Sequence, residues 1–221
     1  MLHSDIIIIG GGVIGLSIGY YLSKNNNKNI IILEQENNLG AINSSRNTET
    51  IHAGIYYKEN SLKSKLCQRG KILLYDFCKK FKVNYKKCGK IFIAQNDEEY
   101  KNFFNLINQA KKNNLTDLKI LNRKDIKKIE PHLEAKFGLL SPSSGIFDSY
   151  TFLQTLEALN LSNDVIISKN TSFINAEKNK GFWNVIIKQN NQNYKIRSKS
   201  IINCAGLNSI DVAMNTKFPL S

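Results

Sequence analysis

The stretch that decides the fold is DIIIIGGGVIGLSI, which occupies residues 5–18. It opens with a short continuous run of β-branched residues, typical of a strand that is buried on both faces of a sheet. Gly10, Gly12 and Gly15 follow at the G-x-G-x-x-G spacing. This spacing is weak evidence when it stands alone, because glycine-rich turns also occur in unrelated α/β proteins. Its meaning therefore depends on the elements that come after it.

Those elements complete a dinucleotide-binding pattern. The sequence predicts a helix from Val13 to about Ser23 and a second apolar strand from Ile30 to Glu34, so the crossover must be right-handed and the two strands parallel. Gly10 permits a tight turn, Gly12 lets a pyrophosphate approach the backbone, and Gly15 lets the helix pack closely on the strand. Glu34 ends the second strand at about the 20-residue spacing at which an acid accepts the ribose hydroxyls.

The rest of the chain favours a flavin over a nicotinamide cofactor. Nicotinamide-binding domains usually continue with further βα units, whereas this chain enters an irregular Ser- and Asn-rich loop from Asn38 to Tyr57. Three later segments form a predicted β-meander, and a separate strand then runs into Ala205-Gly206. These four strands are Ser172–Ala176, Trp183–Lys188, Tyr194–Arg197 and Ser200–Cys204. The order suits FAD, although the pattern alone leaves a nicotinamide-binding domain open.

We therefore predict an α/β fold with a discontinuous, Rossmann-like FAD-binding domain. Residues 1–56 and 148–221 would form this domain, with the β-meander in its second part. Residues 57–147 would form an α+β insertion that belongs to a substrate domain. Within the insertion, apolar residues recur at helical spacing between Asn60 and Lys82. A polar turn is predicted at Asn25 to Asn29.

The loop from Ser44 to Tyr57 carries the residues best suited to chemistry. Its hydroxyl groups and Arg46 could face a phosphate, since a guanidinium can make bidentate contacts. Gly54 would let the backbone approach a planar ring, and His52 could accept a proton near a reacting carbon. A single histidine is nevertheless more often structural than catalytic.

Composition bounds the remaining classes of function. The formal charge of +13 invites a nucleic-acid partner, but the excess is scattered lysine rather than a cluster, so we expect a solvated surface and no nucleic acid. The four cysteines show no metal-ligand or redox spacing, which predicts free thiols, no metal site and a cytoplasmic location. No apolar run reaches the roughly 18 residues of a membrane span. The longest run follows Asp5 rather than basic residues, unlike a signal peptide.

Several segments, in order along the chain, resemble the FAD-dependent L-2-hydroxyglutarate oxidase/dehydrogenase family, which lies within the D-amino-acid-oxidase-like flavoproteins. The loop that contains His-Ala-Gly-Ile-Tyr-Tyr is far more specific than the glycine fingerprint, which any relative would share. The segments that carry the resemblance are 5–17, 44–57, 61–67, 144–149 and 203–207.

The resemblance implies a set of site residues. Ser45 and Arg46 would lie toward the FAD pyrophosphate, and His52 to Gly54 near the isoalloxazine. Phe173 would meet the adenine, although relatives often carry a smaller aliphatic residue there. The complete set predicted to bind the cofactor is Gly10, Gly12, Val13, Ile14, Gly15, Glu34, Ser44, Ser45, Arg46, Ala53, Gly54, Phe173, Ala205 and Gly206, with His52 as the catalytic residue.

By the same resemblance, the expected reaction oxidises the C2 hydroxyl of a small anionic substrate, L-2-hydroxyglutarate, to the 2-keto acid, with the hydride passing to flavin. Oxygen, a quinone or an electron-transfer protein could reoxidise the flavin, and peripheral association with the inner membrane stays open. Family members are about twice as long, so we expect a truncated or partial chain. The alternatives are an amino-acid or glycerol-3-phosphate oxidoreductase, a non-catalytic FAD-binding fragment and, least favoured, a basic nucleic-acid-binding domain.

Overall fold

The computed structural model describes residues 2–24 and 28–216. The polar turn predicted at Asn25 to Asn29 lies partly outside these residues. Helices span α1 Val13–Ser23, α2 Leu62–Phe81, α3 Asp97–Lys112, α4 Arg123–Ile129, α5 Ser149–Ser162 and α6 Ser209–Met214. Strands span β1 Leu2–Ile9, β2 Ile30–Leu33, β3 Thr50–Ile51, β4 Tyr85–Lys86, β5 Lys90–Ala94, β6 Lys119–Asn122, β7 Phe137–Ser141, β8 Gly145–Phe147, β9 Ile166–Ser168, β10 Thr171–Asn179, β11 Phe182–Gln189 and β12 Gln192–Asn203.

The chain divides into two compact units, and each is described by itself. The first comprises Met1–Asn47 and Ser149–Ser221, and the second comprises Thr48–Asp148. The mixed α/β character agrees with the prediction. The first boundary lies earlier than the predicted one at residue 56, so that most of the loop from Ser44 to Tyr57 belongs to the second unit.

The first unit is built on a six-stranded sheet with the order β10-β11-β12-β1-β2-β9. Strands β12, β1, β2 and β9 are parallel, whereas β10, β11 and β12 form an antiparallel meander. Strands β1 and β2 are buried, as their continuous isoleucine runs predict. Because β1 pairs with strands on both sides, the turn after Ile9 lies at the carboxyl end of a central strand, where open α/β sheets bind ligands.

The prediction of two separate strands at Tyr194–Arg197 and Ser200–Cys204 is wrong. One continuous strand, β12, pairs antiparallel with β11 up to Ser198 and parallel with β1 from Ile196 onward. Ser198 is fully buried, and its hydroxyl donates a 2.9 Å hydrogen bond to the carbonyl of Ser200. The polar residues that predicted a break therefore lie within the sheet, because a local hydrogen bond satisfies the buried hydroxyl.

The second unit contains two small antiparallel sheets, with the orders β3-β8-β4 and β5-β7-β6. Strands β3, β4 and β6 have only two to four residues, and the sequence did not predict them. Helix α3 packs Phe103 against Ala94 of β5 and Leu139 of β7. Helix α2 begins at Leu62, where the Ser61 hydroxyl accepts a hydrogen bond from the N–H of Ser64.

None of the helices within residues 2–24 and 28–216 is long and apolar enough to cross a membrane.

Candidate functional site

The glycine turn after β1 is held by contacts that leave no room for side chains. Gly10 has φ +110°, and a Cβ added there would lie 2.3 Å from the carbonyl oxygen of Cys204. A Cβ on Gly15 would lie 1.9 Å from the carbonyl oxygen of Gly10. The first glycine thus makes the turn, and the third lets α1 begin directly against it, as the fingerprint requires.

Ser44 closes the start of α1 from the first unit's own loop. Gly12 occupies the N-cap position and has no side chain with which to cap the helix. The Ser44 hydroxyl instead accepts a 2.9 Å hydrogen bond from the N–H of Val13, and a Cβ on Gly12 would lie 3.0 Å from the same oxygen. The first N–H groups of a helix lack partners within the helix, so this end of α1 presents donors and the positive end of the dipole to an anion.

Glu34 joins the second strand to the glycine turn. The residue is buried, with Oε2 accepting from the N–H of Gly11 at 2.9 Å and Oε1 accepting from the N–H of Glu36 at 2.9 Å. Each carboxylate oxygen can accept more than one hydrogen bond, so capacity remains for ribose hydroxyls. The two backbone bonds fix the carboxylate beside the turn before any ligand is present.

The segment after β12 lies against the same turn. The N–H of Cys204 donates to the carbonyl of Ile9 at 2.8 Å, and the Ala205 nitrogen lies 3.2 Å from the Cβ position of Gly10. Gly206 has φ +58° and begins a 3-10 helix. Ala205 is partly buried against the sheet core, and Gly206 is exposed. The first unit thus brings the glycine turn, Glu34, Ser44 and Ala205-Gly206 together.

Four other predicted cofactor residues of this unit lie on the protein surface or away from the glycine turn. The Ser45 hydroxyl donates to the carbonyls of Ala41 and Ile42, and Arg46 is exposed just after a 3-10 helix, Asn43–Ser45. Ile14 is 64% exposed on the first turn of α1. Phe173 lies on β10 at a β-bulge and packs against the sheet core. The contacts of these four residues with the cofactor stay predictions, as do those of the other predicted site residues.

The second unit holds His52, Ala53 and Gly54 in a loop whose backbone is fixed by side chains at the C-terminal end of α3. Asn113, which is 2% exposed, follows the end of α3, and its Nδ2 donates to the carbonyls of Gly54 at 3.0 Å, Ile55 at 3.4 Å and Tyr57 at 2.8 Å. The side-chain amide of Gln109 adds a 2.9 Å hydrogen bond to the Tyr57 carbonyl. Ala53 and Gly54 are buried, whereas the His52 side chain is exposed.

The charge around His52 is positive. Partial burial lowers the pKa of His52 below its usual value, and the ammonium groups of Lys90 and Lys63 lower it further. Nearby, the Cys67 thiol donates to the His52 carbonyl at 3.4 Å, and burial raises the pKa of this thiol. The neutral imidazole, the form that can accept a proton, is therefore favoured at His52.

The sequence reasoning missed the residues that hold these loops. Asn113 and Gln109 lie at the end of a helix about 60 residues from the loop that they fix, and nothing in the helical pattern marks them as its partners. The bond from Gly11 to Glu34 was also missed, because the pattern assigned Glu34 to the ribose alone. Neither set of residues carries a signal that sequence spacing could have revealed.

Comparisons with known proteins identify the family. A family described as "FAD dependent oxidoreductase" matches residues 5–220. The L-2-hydroxyglutarate dehydrogenase, mitochondrial, of Nematostella vectensis is 42% identical over 66% of this chain and 32% of its own length. The human protein of the same name is 32% identical over 93% of this chain and 46% of its own length. The chain thus spans less than half the length of these curated relatives.

A solved structure shows the same fold. The dithionite-reduced L-α-glycerophosphate oxidase from Mycoplasma pneumoniae, with FAD bound, has a TM-score of 0.82 and 28% sequence identity, and the match covers 91% of this chain and 53% of that one. The fold class predicted from the sequence is confirmed. Since the family match runs over nearly the whole chain, this chain belongs to the FAD dependent oxidoreductases.

Proposed function

We propose that this chain is part of a flavoprotein that oxidises the C2 hydroxyl of a 2-hydroxy dicarboxylic acid, L-2-hydroxyglutarate, to the 2-keto acid. The observation that carries the proposal is the likeness to relatives named L-2-hydroxyglutarate dehydrogenase, which spans 93% of this chain in the human case. The substrate is proposed from that likeness, since the chain matches only part of each relative.

FAD is the cofactor of the family, and the glycine turn of the first unit, with Glu34 and Ser44 beside it, fits this cofactor. A Cβ on Gly12 meets only the Ser44 hydroxyl, so the outer side of the turn is open to a pyrophosphate. The start of α1 would hold the phosphates, and the fixed Glu34 carboxylate would accept from the ribose hydroxyls. When bound, FAD supplies the acceptor for the hydride from C2, and the protein supplies binding and orientation.

His52 is the residue that we propose as the base for the C2 hydroxyl proton. A base must be unprotonated before it reacts, and the lowered pKa favours the neutral imidazole near pH 7. The bonds from Asn113 and Gln109 hold the backbone after His52, which limits the positions that the ring can sample. Both features support the assignment.

A second substrate class is a glycerol phosphate, which the likeness to the Mycoplasma pneumoniae oxidase supports. A polyol phosphate and a hydroxy dicarboxylate are both small anions, and the lysine-rich second unit favours either. An amino-acid oxidoreductase and a non-catalytic FAD-binding fragment complete the alternatives. The electron acceptor, a cytoplasmic location and peripheral membrane association stay predictions from the sequence. The relatives from Nematostella vectensis and human are named mitochondrial.

Anaerobic flavin reduction tests this proposal. The FAD-loaded chain, and a fusion that adds the part of the human relative beyond the match, would be mixed with L-2-hydroxyglutarate, the D-isomer or glycerol 3-phosphate. We expect the L-isomer alone to bleach the flavin of the fusion. In the fusion, His52→Ala should slow bleaching by about 10²–10⁴-fold with little loss of FAD, as for a lost general base.

Two other outcomes would reassign the protein or the residue. Faster bleaching by glycerol 3-phosphate than by L-2-hydroxyglutarate would make the phosphate the substrate. An unchanged bleaching rate in the His52→Ala fusion would return His52 to a structural role.

A further inference from the structure

Two lysines near His52 in the second unit lack a carboxylate partner. Among residues 2–24 and 28–216, Lys63 and Lys90 form no ion pair. Lys63 lies on the first turn of α2, and Lys90 is the first residue of β5. An ammonium group without an acidic partner in a chain of net charge +13 is available to an external anion.

Both ammonium groups are positioned by the tyrosines that follow His52 in the loop. Lys63 Nζ lies 4.8 Å from the ring centroid of Tyr57, and Lys90 Nζ lies 5.7 Å from that of Tyr56 and 4.8 Å from that of Phe92. The two tyrosine rings meet edge to face, with centroids 5.2 Å apart. Aromatic faces attract cations, so the rings hold each charge near one place without neutralising it.

The tyrosine pair is itself anchored. The carbonyl of Tyr57 accepts hydrogen bonds from Asn113 and Gln109, so α3 fixes the backbone that carries the two rings. The field of both lysines reaches His52, because each lowers the pKa of its imidazole. Cys67 lies in the field of Lys63 and Lys71. Lys71 in turn interacts with Asp117 and Lys87 and donates a hydrogen bond to the Ser143 hydroxyl.

We propose that Lys63 and Lys90 form an anion-binding pair beside His52 that takes the two carboxylates of a small dicarboxylate. This inference rests on the proposed function for the identity of its ligand. The pair selects a dianion over a monoanion, because a ligand with one carboxylate leaves one ammonium group unpaired. Lys63 and Lys90 are therefore specificity-determining residues of the proposed reaction.

Glutarate, which has two carboxylates and no hydroxyl to oxidise, is the probe for this pair. The protein, isotopically labelled in its histidine rings, would be titrated with glutarate or with butyrate. The resonance of the His52 ring would be followed by NMR. We expect glutarate to shift this resonance and to bind at least tenfold more tightly than butyrate. Lys63→Gln and Lys90→Gln should each weaken glutarate binding about tenfold, as for a lost charged hydrogen bond.

Matched variants separate a specific pair from a diffuse positive field. Lys65→Gln removes the same charge from an exposed position on α2 and should change glutarate affinity less than twofold. Lys63→Arg and Lys90→Arg keep the charge and should retain most of the affinity, so that a loss confined to the Gln variants follows the loss of charge. Equal weakening by Lys65→Gln, or no shift of the His52 resonance with glutarate, would overturn the inference.

This experiment is independent of the test of the proposed function, because glutarate cannot reduce flavin. Glutarate binding that depends on Lys63 and Lys90, together with a flavin that L-2-hydroxyglutarate does not bleach, would keep the anion site and reject the proposed substrate. Bleaching by L-2-hydroxyglutarate without lysine-dependent glutarate binding would keep the proposed function and reject the site.

Discussion

The two compact units stabilise their loops in opposite ways. In the first unit, the glycine turn lies between central strands, and backbone atoms of Gly10, Gly15 and Cys204 pack directly on one another. In the second unit, the loop after His52 is fixed by side-chain amides of α3 rather than by a strand. The loop of the first unit thus requires glycines without side chains, whereas the loop of the second unit requires the side-chain amides of Asn113 and Gln109.

The two units also differ in how completely their secondary-structure elements are buried. Strands β1 and β2 bury every residue of their apolar runs, Ile6–Ile9 and Ile30–Leu33, so these runs are enough to define their place. Helix α2 buries only Ser64 and Cys78 and leaves Leu62, Leu66 and Ile72 exposed by 72%, 56% and 60%. A fully buried strand is specified by composition, whereas a half-exposed helix needs particular contacts to fix it.

The sharpest test of this contrast compares two helical glycines. Gly15→Ala places a Cβ 1.9 Å from a backbone oxygen and should lower the free energy of unfolding by about 3 kcal/mol and abolish FAD binding. Gly70→Ala, in α2, meets nothing within 4 Å and should raise it by about 0.5–1 kcal/mol. Urea denaturation and flavin titration measure both effects. Equal effects at the two positions would remove the contrast.

The next effect concerns the side-chain anchor of the second unit. Asn113→Ala removes the side-chain donor to the buried carbonyl of Gly54 and one of the two donors to the carbonyl of Tyr57, and should lower the free energy of unfolding by about 2–3 kcal/mol. The loop amides from Gly54 to Tyr57 should also exchange hydrogen faster, since their backbone is released. Asn105→Ala, an exposed position on the same helix, should stay within about 0.5 kcal/mol. Unchanged exchange in Asn113→Ala would show that α3 does not fix the loop.

The smallest effect is electrostatic. Lys90→Gln removes a positive neighbour and should raise the pKa of His52, although burial, the larger cause, keeps it below the usual value. The acid limb of any rate that requires neutral His52 should move to higher pH. NMR titration of the His52 ring measures the pKa, with Lys65→Gln as the control. A fall in the pKa would mean that Lys90 does not act through its charge.

The lowered pKa of His52 also makes the stability of the fold depend on pH. The unfolded chain binds the His52 proton more readily than the folded chain does, so this group favours folding above the usual histidine pKa. That contribution is lost as the pH falls through that value toward the lower folded pKa. Lys90→Gln should reduce this dependence, since it brings the two pKa values closer together.

Sequence reasoning succeeded where spacing along the chain fixes the outcome. Helix α1 has the predicted bounds, and the glycine turn has the predicted conformation. It failed at β12, where buried Ser198 forms a local hydrogen bond and the strand continues. It also failed at β3, β4 and β6, because strands of two to four residues are set by their partners rather than by their own pattern.

The sequence by itself determined the βαβ start, the fingerprint of Gly10, Gly12 and Gly15, and the acid at the end of β2, because each depends on residues close together along the chain. Only the tertiary structure decided that Ser44 caps α1, that Asn113 holds the loop after His52, and that Lys63 and Lys90 stand over its tyrosines. Except for Lys63 over Tyr57, these contacts join residues that are distant in sequence. Their geometry depends on how the elements pack, which no local pattern of residues encodes.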